Sequence, residues 1–375
     1  MTTPTDLSLL RLVAQRIAGP GLPTATEVVR RLTAMQAQDY PGALASVALR
    51  TARGAGAGPP ASAGAGPVSS VAGVEAALDA GEVVRSWPMR GTLHLVAAED
   101  LGWMLSLTTE RLLAGAARRH AQLGIEEAMV DRAGRLAHAA LEGGRSLSRT
   151  ELMAGWEDAD LLRGVKQRGY HLLWTLSQKG LVCFGPTGGG EQRIVLLDEW
   201  VPRPRRLEHG EAVGEWVLRY FRGHGPATLK DFQWWTKLTA AEARAGLDLA
   251  REHLEAVEVE GVEYFMDPAT PGLLDANRAA ARGVFLLPGF DELLLGYQDR
   301  SATLPTAFAE RIVPGGNGMF RPTVIAGGRV VGTWRRTGSG ARRRVEAEPF
   351  TAFNQRVEKA VPRLAAAFPA PPART

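Results

Sequence analysis

The chain has 375 residues, 45% of them apolar and 22% charged, with 44 basic against 40 acidic side chains and a formal charge of +4. That apolar share excludes global disorder and suits two or three packed units. No run approaches the roughly 18 apolar residues that span a bilayer, and a single cysteine, Cys183, excludes an intrachain disulfide or a CxxC site. Five of the 44 basic residues are Lys (166, 179, 230, 237 and 359), which leaves 39 Arg. Arginine is the planar fork that suits phosphate oxygens and guanine edges, so nucleic acid is a candidate partner. Residues 1–10 lack a basic n-region and a small-residue cleavage site, so the expectation is no secretory leader and a cytoplasmic protein.

In chain order, a first unit spans residues 1–110. Helices are expected over 7–18, 25–34 and 73–80, and a hairpin over 83–87 and 91–96 bends at Pro88–Arg90. A Gly/Ala/Pro insert at 53–67 (RGAGAGPPASAGAGP) interrupts it and reads as disordered. The second unit, 111–203, is the clearest. Ser148 caps a helix over 149–156 with Glu151 three residues on, a second helix covers 170–179, and Gly180 stops it. Strands at 181–184 and 194–197 then flank a glycine-rich turn. Helix, turn, helix and a two-stranded wing make a winged helix-turn-helix.

The third unit, 204–270, repeats the layout. A helix over 211–222 breaks at Gly225-Pro226, Thr228 caps 229–236, and Thr239 caps 240–253. Strands at 256–260 and 262–266 pair around Gly261. A C-terminal β-rich segment, 271–364, carries strands at 284–287, 321–325 and 329–334, with Gly327-Gly328 as a hairpin turn. A closing helix over 350–368 runs into a tail, 365–375, that reads as disordered. The fold class is α+β, mostly helical, with three tandem winged helices.

Most signatures of enzymes are missing: no GxSxG elbow, Walker loop or HExxH, and no tight spacing among the seven histidines. No metal and no cofactor are expected. Four features stand out. In Met35-Gln36-Ala37-Gln38-Asp39-Tyr40, two glutamines lie two residues apart ahead of Pro41-Gly42. On a continuous helix they point about 200° apart; in an extended or broken segment they share a side, and the nearby proline favours a break. Both amides then converge on one small target; otherwise they are two solvated glutamines at a helix end. Second, Arg85, Arg90 and His94 decorate the first hairpin and suit phosphate contacts, or belong to an ordinary hairpin with His94 in the core.

Third, 311–344 holds basic residues at 311, 321, 329, 335, 336, 342, 343 and 344 with no acid between. Within it a glycine-rich tip presents Asn317, Met319, Phe320 and Arg321, the make-up of a wedge between base steps, unless the two apolar side chains are core. Fourth, Asp291, Glu292 and Asp299 fall within nine residues: a divalent-metal set, or a structural network with Arg300.

The segments MQAQD (35–39), RSWPMRGTLHLV (85–96), LLPGFDELLLGYQDR (286–300) and NGMFRPTVIAGGRVVGTWRR (317–336) carry a resemblance. The chain resembles the AlkZ-like DNA glycosylases, winged-helix bacterial enzymes with a Gln-aliphatic-Gln catalytic motif that Gln36-Ala37-Gln38 matches. The resemblance implies a C-shaped DNA-binding architecture and a monofunctional glycosylase for alkylated, N7-substituted purines in duplex DNA. It implies self-resistance to a DNA-alkylating natural product; a monomer, nucleoid-associated when bound to DNA, is expected. Gln36 and Gln38 are then catalytic, with Asp39 the alternative base. DNA contacts come from Arg85, Arg90, His94, Asn317, Met319, Phe320, Arg321, Arg335 and Arg336. The rivals are a winged-helix transcriptional regulator without activity and, more weakly, a metal-dependent nuclease using Asp291, Glu292 and Asp299.

Overall fold

The computed structural model describes residues 4–52, 70–188, 191–338 and 344–369. The insert at 53–67 and residues 370–375 of the expected tail lie outside the described residues. In chain order the elements are α1 (Pro4–Ala14), α2 (Ala25–Leu32), β1 (Ala34–Gln36), α3 (Tyr40–Ala48), α4 (Val71–Asp79), β2 (Val83–Met89), β3 (Thr92–Ala97), α5 (Leu101–Gln122), α6 (Glu127–Leu141), α7 (Arg149–Asp158), α8 (Arg168–Gln178), β4 (Val182–Gly188) and β5 (Glu191–Leu196). They continue with α9 (Leu197–Trp200), α10 (His209–His224), α11 (Leu229–Thr236), α12 (Ala240–Ala250), β6 (Glu255–Val259), β7 (Val262–Met266), α13 (Thr270–Ala281), β8 (Val284–Leu287) and α14 (Glu292–Leu295). The last are α15 (Ala309–Ile312), β9 (Thr323–Ala326), β10 (Arg329–Thr337), β11 (Arg344–Pro349) and α16 (Gln355–Ala366). The chain divides into two compact units: one runs to Val74 and resumes at Val213, the other is Glu75–Ala212.

Helix starts follow the local chemistry. Ser148 Oγ accepts the Glu151 N–H at 3.1 Å while Glu151 accepts the Ser148 N–H at 2.7 Å. The same reciprocal box opens α2 at Thr24/Glu27, α11 at Thr228/Asp231 and α12 at Thr239/Glu242. Each satisfies two orphaned groups of a first turn. Helix α2 stops at Leu32, short of the expected 34, because Thr33 takes φ 67°, ψ −54° and turns the chain into β1.

In the Glu75–Ala212 unit, two hairpins expected as separate wings share one antiparallel arrangement. Strand β2 pairs with β3 through Ser86↔His94 and with β4 through Arg85↔Phe184, and β4 pairs with β5. Their pairing follows from burial: β2 and β4 are apolar on both sides over much of their length, and a dry edge strand leaves its backbone groups unsatisfied unless another strand takes them. Trp87, Trp156, Leu172, Leu173, Val182 and Ile194 form the centre of this unit's core. Helices α5 and α6 have no counterpart in the expected layout, which names no element between residues 97 and 147.

In the other unit, β8–β11 form a four-stranded antiparallel sheet in the order β11-β10-β9-β8. Alternate residues feed opposite faces. Leu287 and Ile325 join Leu12, Val13 and Leu293 in one cluster, whereas Leu286, Val324 and Trp334 meet Val357 and Val361 of α16 in another. Residues 344–349, a stretch of the expected β-rich segment for which no strand was named, form β11. The closing helix starts at Gln355 rather than 350, because Asn354 Oδ1 accepts the Val357 N–H at 3.0 Å and caps it.

Trp156 is 1% exposed and its indole donates to the Ala133 carbonyl at 3.2 Å. Trp156→Ala is expected to lower unfolding free energy by about 3–5 kcal/mol, read by chemical denaturation with Trp156→Phe as the milder comparison.

Candidate active site

The two glutamines sit where the break at Thr33 delivers them. Residues 34–37 are buried, with Ala37 at 0% and Gln36 at 8% exposure, and the chain surfaces at Gln38 and Asp39 before α3 begins. Gln36 ends the three-residue strand β1; Gln38 lies in the bend that follows. The broken, non-helical path is therefore as expected. The side chains are placed unequally, however. The Gln36 amide oxygen accepts the Gln38 N–H at 3.1 Å, so it closes its own turn, while the Gln38 side chain is at the surface. Asp39 stands at the N-cap position of α3 without a side-chain hydrogen bond to the helix. Its carboxylate lies against Gly42: a Cβ there would stand 2.4 Å from Asp39 Oδ2. Only glycine leaves that carboxylate its place over the helix N-terminus, where the macrodipole favours negative charge.

Two adjacent carboxylates hold this segment from the far end of the sequence. Asp291 is 5% exposed and meets Arg50 in a two-pronged ion pair, Nη1–Oδ2 and Nη2–Oδ1 both 2.8 Å. Ser46 Oγ donates to Oδ2 at 2.6 Å and the Leu293 N–H to Oδ1 at 3.0 Å. Burial pushes the Asp291 carboxyl up; the Arg50 charge and these donors outweigh it, so the group lies below the usual aspartate value. Glu292 is 1% exposed. Its Oε1 accepts the Gln36 N–H at 3.1 Å, and its Oε2 accepts the Trp235 indole N–H at 3.0 Å and lies 3.3 Å from His224 Nε2.

The expected carboxylate network with Arg300 is corrected on this point: Arg50, Trp235 and His224 are the partners. Arg300 instead donates to the Leu294 carbonyl at 2.7 Å and lies over the rings of Trp234 and Phe320. Asp299 caps the Ser301 N–H. Among the described residues, no three His, Cys, Asp or Glu side chains are gathered to hold a metal.

In the Glu75–Ala212 unit, His94 is fully buried. Its Nδ1 meets the Thr92 carbonyl at 2.8 Å and its Nε2 meets Arg90 Nη2 at 3.1 Å, which fits the neutral Nδ1–H tautomer. Burial, then the Arg90 charge, hold the imidazole well below its ordinary value, with the Thr92 carbonyl opposing in part. Arg85 donates to Gln192 Oε1 at 2.9 Å and lies over the Phe184 ring.

The arginine field at 311–344 is not uncompensated. Strand β11 places Glu346 opposite Arg335, where they pair at 2.9 Å, and Glu348 meets Arg311. The acids lie just beyond the counted run, and antiparallel pairing folds them back onto it. Arg336 donates to the Pro369 carbonyl and packs on Phe368 and Trp334. Arg321 and Asn317 are exposed; Arg342 and Arg343 lie outside the described residues. Met319 and Phe320 part company: Met319 is 57% exposed, whereas Phe320 packs on a hydrophobic cluster.

Two outcomes follow from these contacts. Arg50→Met leaves a buried carboxylate without its charge partner and is expected to lower unfolding free energy by about 3–5 kcal/mol, read by denaturant titration. His94 stays neutral when folded but takes a proton when unfolded below its ordinary value of 6.5. Its contribution is thus present above pH 6.5 and lost as pH falls below it. The pH dependence of stability across that window is expected to be shallower in His94→Asn than in the wild type, read by melts at stepped pH.

A Streptomyces sahachiroi protein named as an interstrand DNA cross-link repair glycosylase is 29% identical over 325 residues, 83% of this chain and 82% of that one. The solved structure of Streptomyces sahachiroi DNA glycosylase AlkZ shares the fold, with a TM-score of 0.78 at 24% identity over 98% of this chain and 95% of that one. The family model described as DNA glycosylase AlkZ-like matches residues 29–370, so the segments around Gln36 and Glu292 both fall inside it. With a family match of that extent, the chain belongs to the AlkZ-like family of DNA glycosylases.

Proposed function

We propose that this glycosylase hydrolyses the N-glycosidic bond of N7-alkylated purines in duplex DNA, at a centre made of Gln36 and Gln38. The observation that carries the reading is the turn between β1 and α3: a surface amide, Gln38, is held by a buried one, Gln36, through the 3.1 Å bond to its backbone. A purine alkylated at N7 carries positive charge, so cleavage of its bond to C1′ returns the electron pair to the ring and releases a neutral base. No general acid is needed. The enzyme's remaining task is to face the developing oxocarbenium with a carbonyl oxygen and to aim one water at C1′. Gln38 takes the first role in this reading, and the second lone pair of Gln36 helps to hold the water. The water proton passes to solvent or to Asp39, the exposed carboxylate next along the chain.

The DNA backbone is met by Arg85, Arg90, Arg335 and Arg336, and the exposed tip with Asn317, Met319 and Arg321 probes the minor groove. The Arg335–Glu346 pair is solvent-exposed, and such a pair contributes at most about 1 kcal/mol. A phosphate therefore displaces it at little cost. The relative named for interstrand cross-link repair supports bulky or bridged adducts as substrates. A role in self-resistance to an alkylating natural product, as a cytoplasmic monomer, is in keeping with that substrate class.

The test incubates the protein with duplex DNA containing N7-methylguanine, with EDTA present, and measures free base. Gln38→Ala is expected to reduce release by about 100-fold or more, and Gln36→Ala to reduce it strongly as well. Full release in both variants removes the assigned centre. Salt-sensitive binding with no release in the wild type leaves a DNA-binding scaffold without this chemistry.

A further inference from the structure

We infer that Glu292 is the positioning residue of the glutamine centre: from inside the protein it fixes the register of the 34–38 segment through a single bond to the Gln36 N–H. The inference rests on the reading of Gln36 and Gln38 given above and adds the group that sets their geometry.

Glu292 lies 256 positions along the chain from Gln36, and both are buried where they meet. The two oxygens of its carboxylate are divided between two tasks. Oε2 is anchored to the core by the Trp235 indole and by His224, itself 0% exposed and stacked on Tyr220 at 4.7 Å. Oε1 reaches the backbone of β1 and holds the Gln36 N–H at 3.1 Å. His224 Nδ1 is buried without a hydrogen-bond partner. A bare ring nitrogen in that place is an unused acceptor, whereas an N–H there would be an unused donor. The arrangement therefore selects the Nε2–H tautomer, donating to Glu292. Three N–H groups then converge on one carboxylate, which has only acceptors to offer them.

The rest of the anchor is equally constrained. The Glu292 carbonyl accepts Gln15 Nε2 at 3.2 Å, and neighbouring Asp291 is fixed by Arg50. Glycine at 296 leaves the His224 ring its place, since a Cβ there would lie 2.6 Å from it. The chain of hydrogen bonds thus runs from the core to Glu292, to the Gln36 backbone, and from the Gln36 side chain to the Gln38 backbone. An ordinary structural acid would not need its last donor to be the backbone of the residue that shapes the reacting turn.

Glu292→Gln keeps the size and puts the donor logic in conflict. If the introduced amide turns its oxygen to the Gln36 N–H, its NH2 faces the Trp235 N–H; if it turns round, its NH2 faces the Gln36 N–H. Trp235→Phe removes the competing donor, and His224 can accept the amide NH2 through its other tautomer. In Glu292→Gln, kcat for N7-methylguanine release is expected to fall by at least about tenfold with little change in KM, and the Gln36 amide to lose protection from hydrogen exchange. In the double variant Glu292→Gln/Trp235→Phe, kcat and Gln36 protection are expected to recover relative to Glu292→Gln while the melting temperature falls further. A purely structural role predicts the opposite coupling, with activity following stability downward. Wild-type kcat and Gln36 exchange in Glu292→Gln, or no recovery in the double variant, overturns the inference. Unchanged release in Gln36→Ala and Gln38→Ala sinks the reaction assignment and Glu292's part in it; release lost there but fully kept in Glu292→Gln sinks the positioning role alone.

Discussion

Two neighbouring buried carboxylates hold the site-bearing unit together, and they are satisfied by opposite means. Asp291 meets a full positive charge in Arg50, with both oxygens bonded. Glu292 meets the Gln36 and Trp235 N–H groups and the His224 ring. A buried carboxylate must be paired or fully hydrogen-bonded to be tolerated in an apolar interior. Here each requirement is met by a segment far away in sequence: α3 and Arg50 just past its end for Asp291, and β1, α10 and α11 for Glu292. The acid pair thereby ties the N-terminal fifty residues to the C-terminal half of the same unit. The glutamine turn inherits its rigidity from that tie.

Much of the fold was legible because capping chemistry is local. Ser148/Glu151, Thr228 and Thr239 each mark a helix start within a few residues, and the structure places α7, α11 and α12 there. Strands β7 and β8 coincide with their expected bounds. What was not legible depends on partners distant in sequence. That the hairpins at 83–97 and 182–196 pair with each other is decided by burial of both, which neither sequence declares alone. Strand β11 was hidden behind the arginine run that ends at its first residue, Arg344, although Glu346 and Glu348 just beyond pair with Arg335 and Arg311 of that run. Helices α5 and α6 carried no punctuation in the expected layout.

The site divides in the same way. A non-helical path through the glutamines was expected from Pro41-Gly42, and β1 does end at Gln36, but the break itself comes at Thr33, ahead of them, while Pro41 sits in the first turn of α3. The carboxylates of 291–299 were visible as a cluster, but their partners were not: Arg50, Trp235 and His224 lie 241, 57 and 68 residues away from the acids they meet. Spacing along a chain cannot reveal such pairs. A pair of acids in an otherwise apolar stretch, Phe290-Asp291-Glu292-Leu293-Leu294-Leu295, was the available signal that something must be buried with them.

Thr33 shows what the turn demands of the chain. A β-branched residue at φ 67°, ψ −54° occupies a region that such side chains rarely visit, and strain of this type amounts to about 1–3 kcal/mol. Its hydroxyl is buried without a hydrogen-bond partner. The burial that surrounds it keeps α2 and β1 at their sharp angle. Glycine at this position would relax the backbone, but it would also widen the range of directions in which β1 leaves the helix. Relief of local strain and a fixed exit for β1 therefore make opposite demands on residue 33.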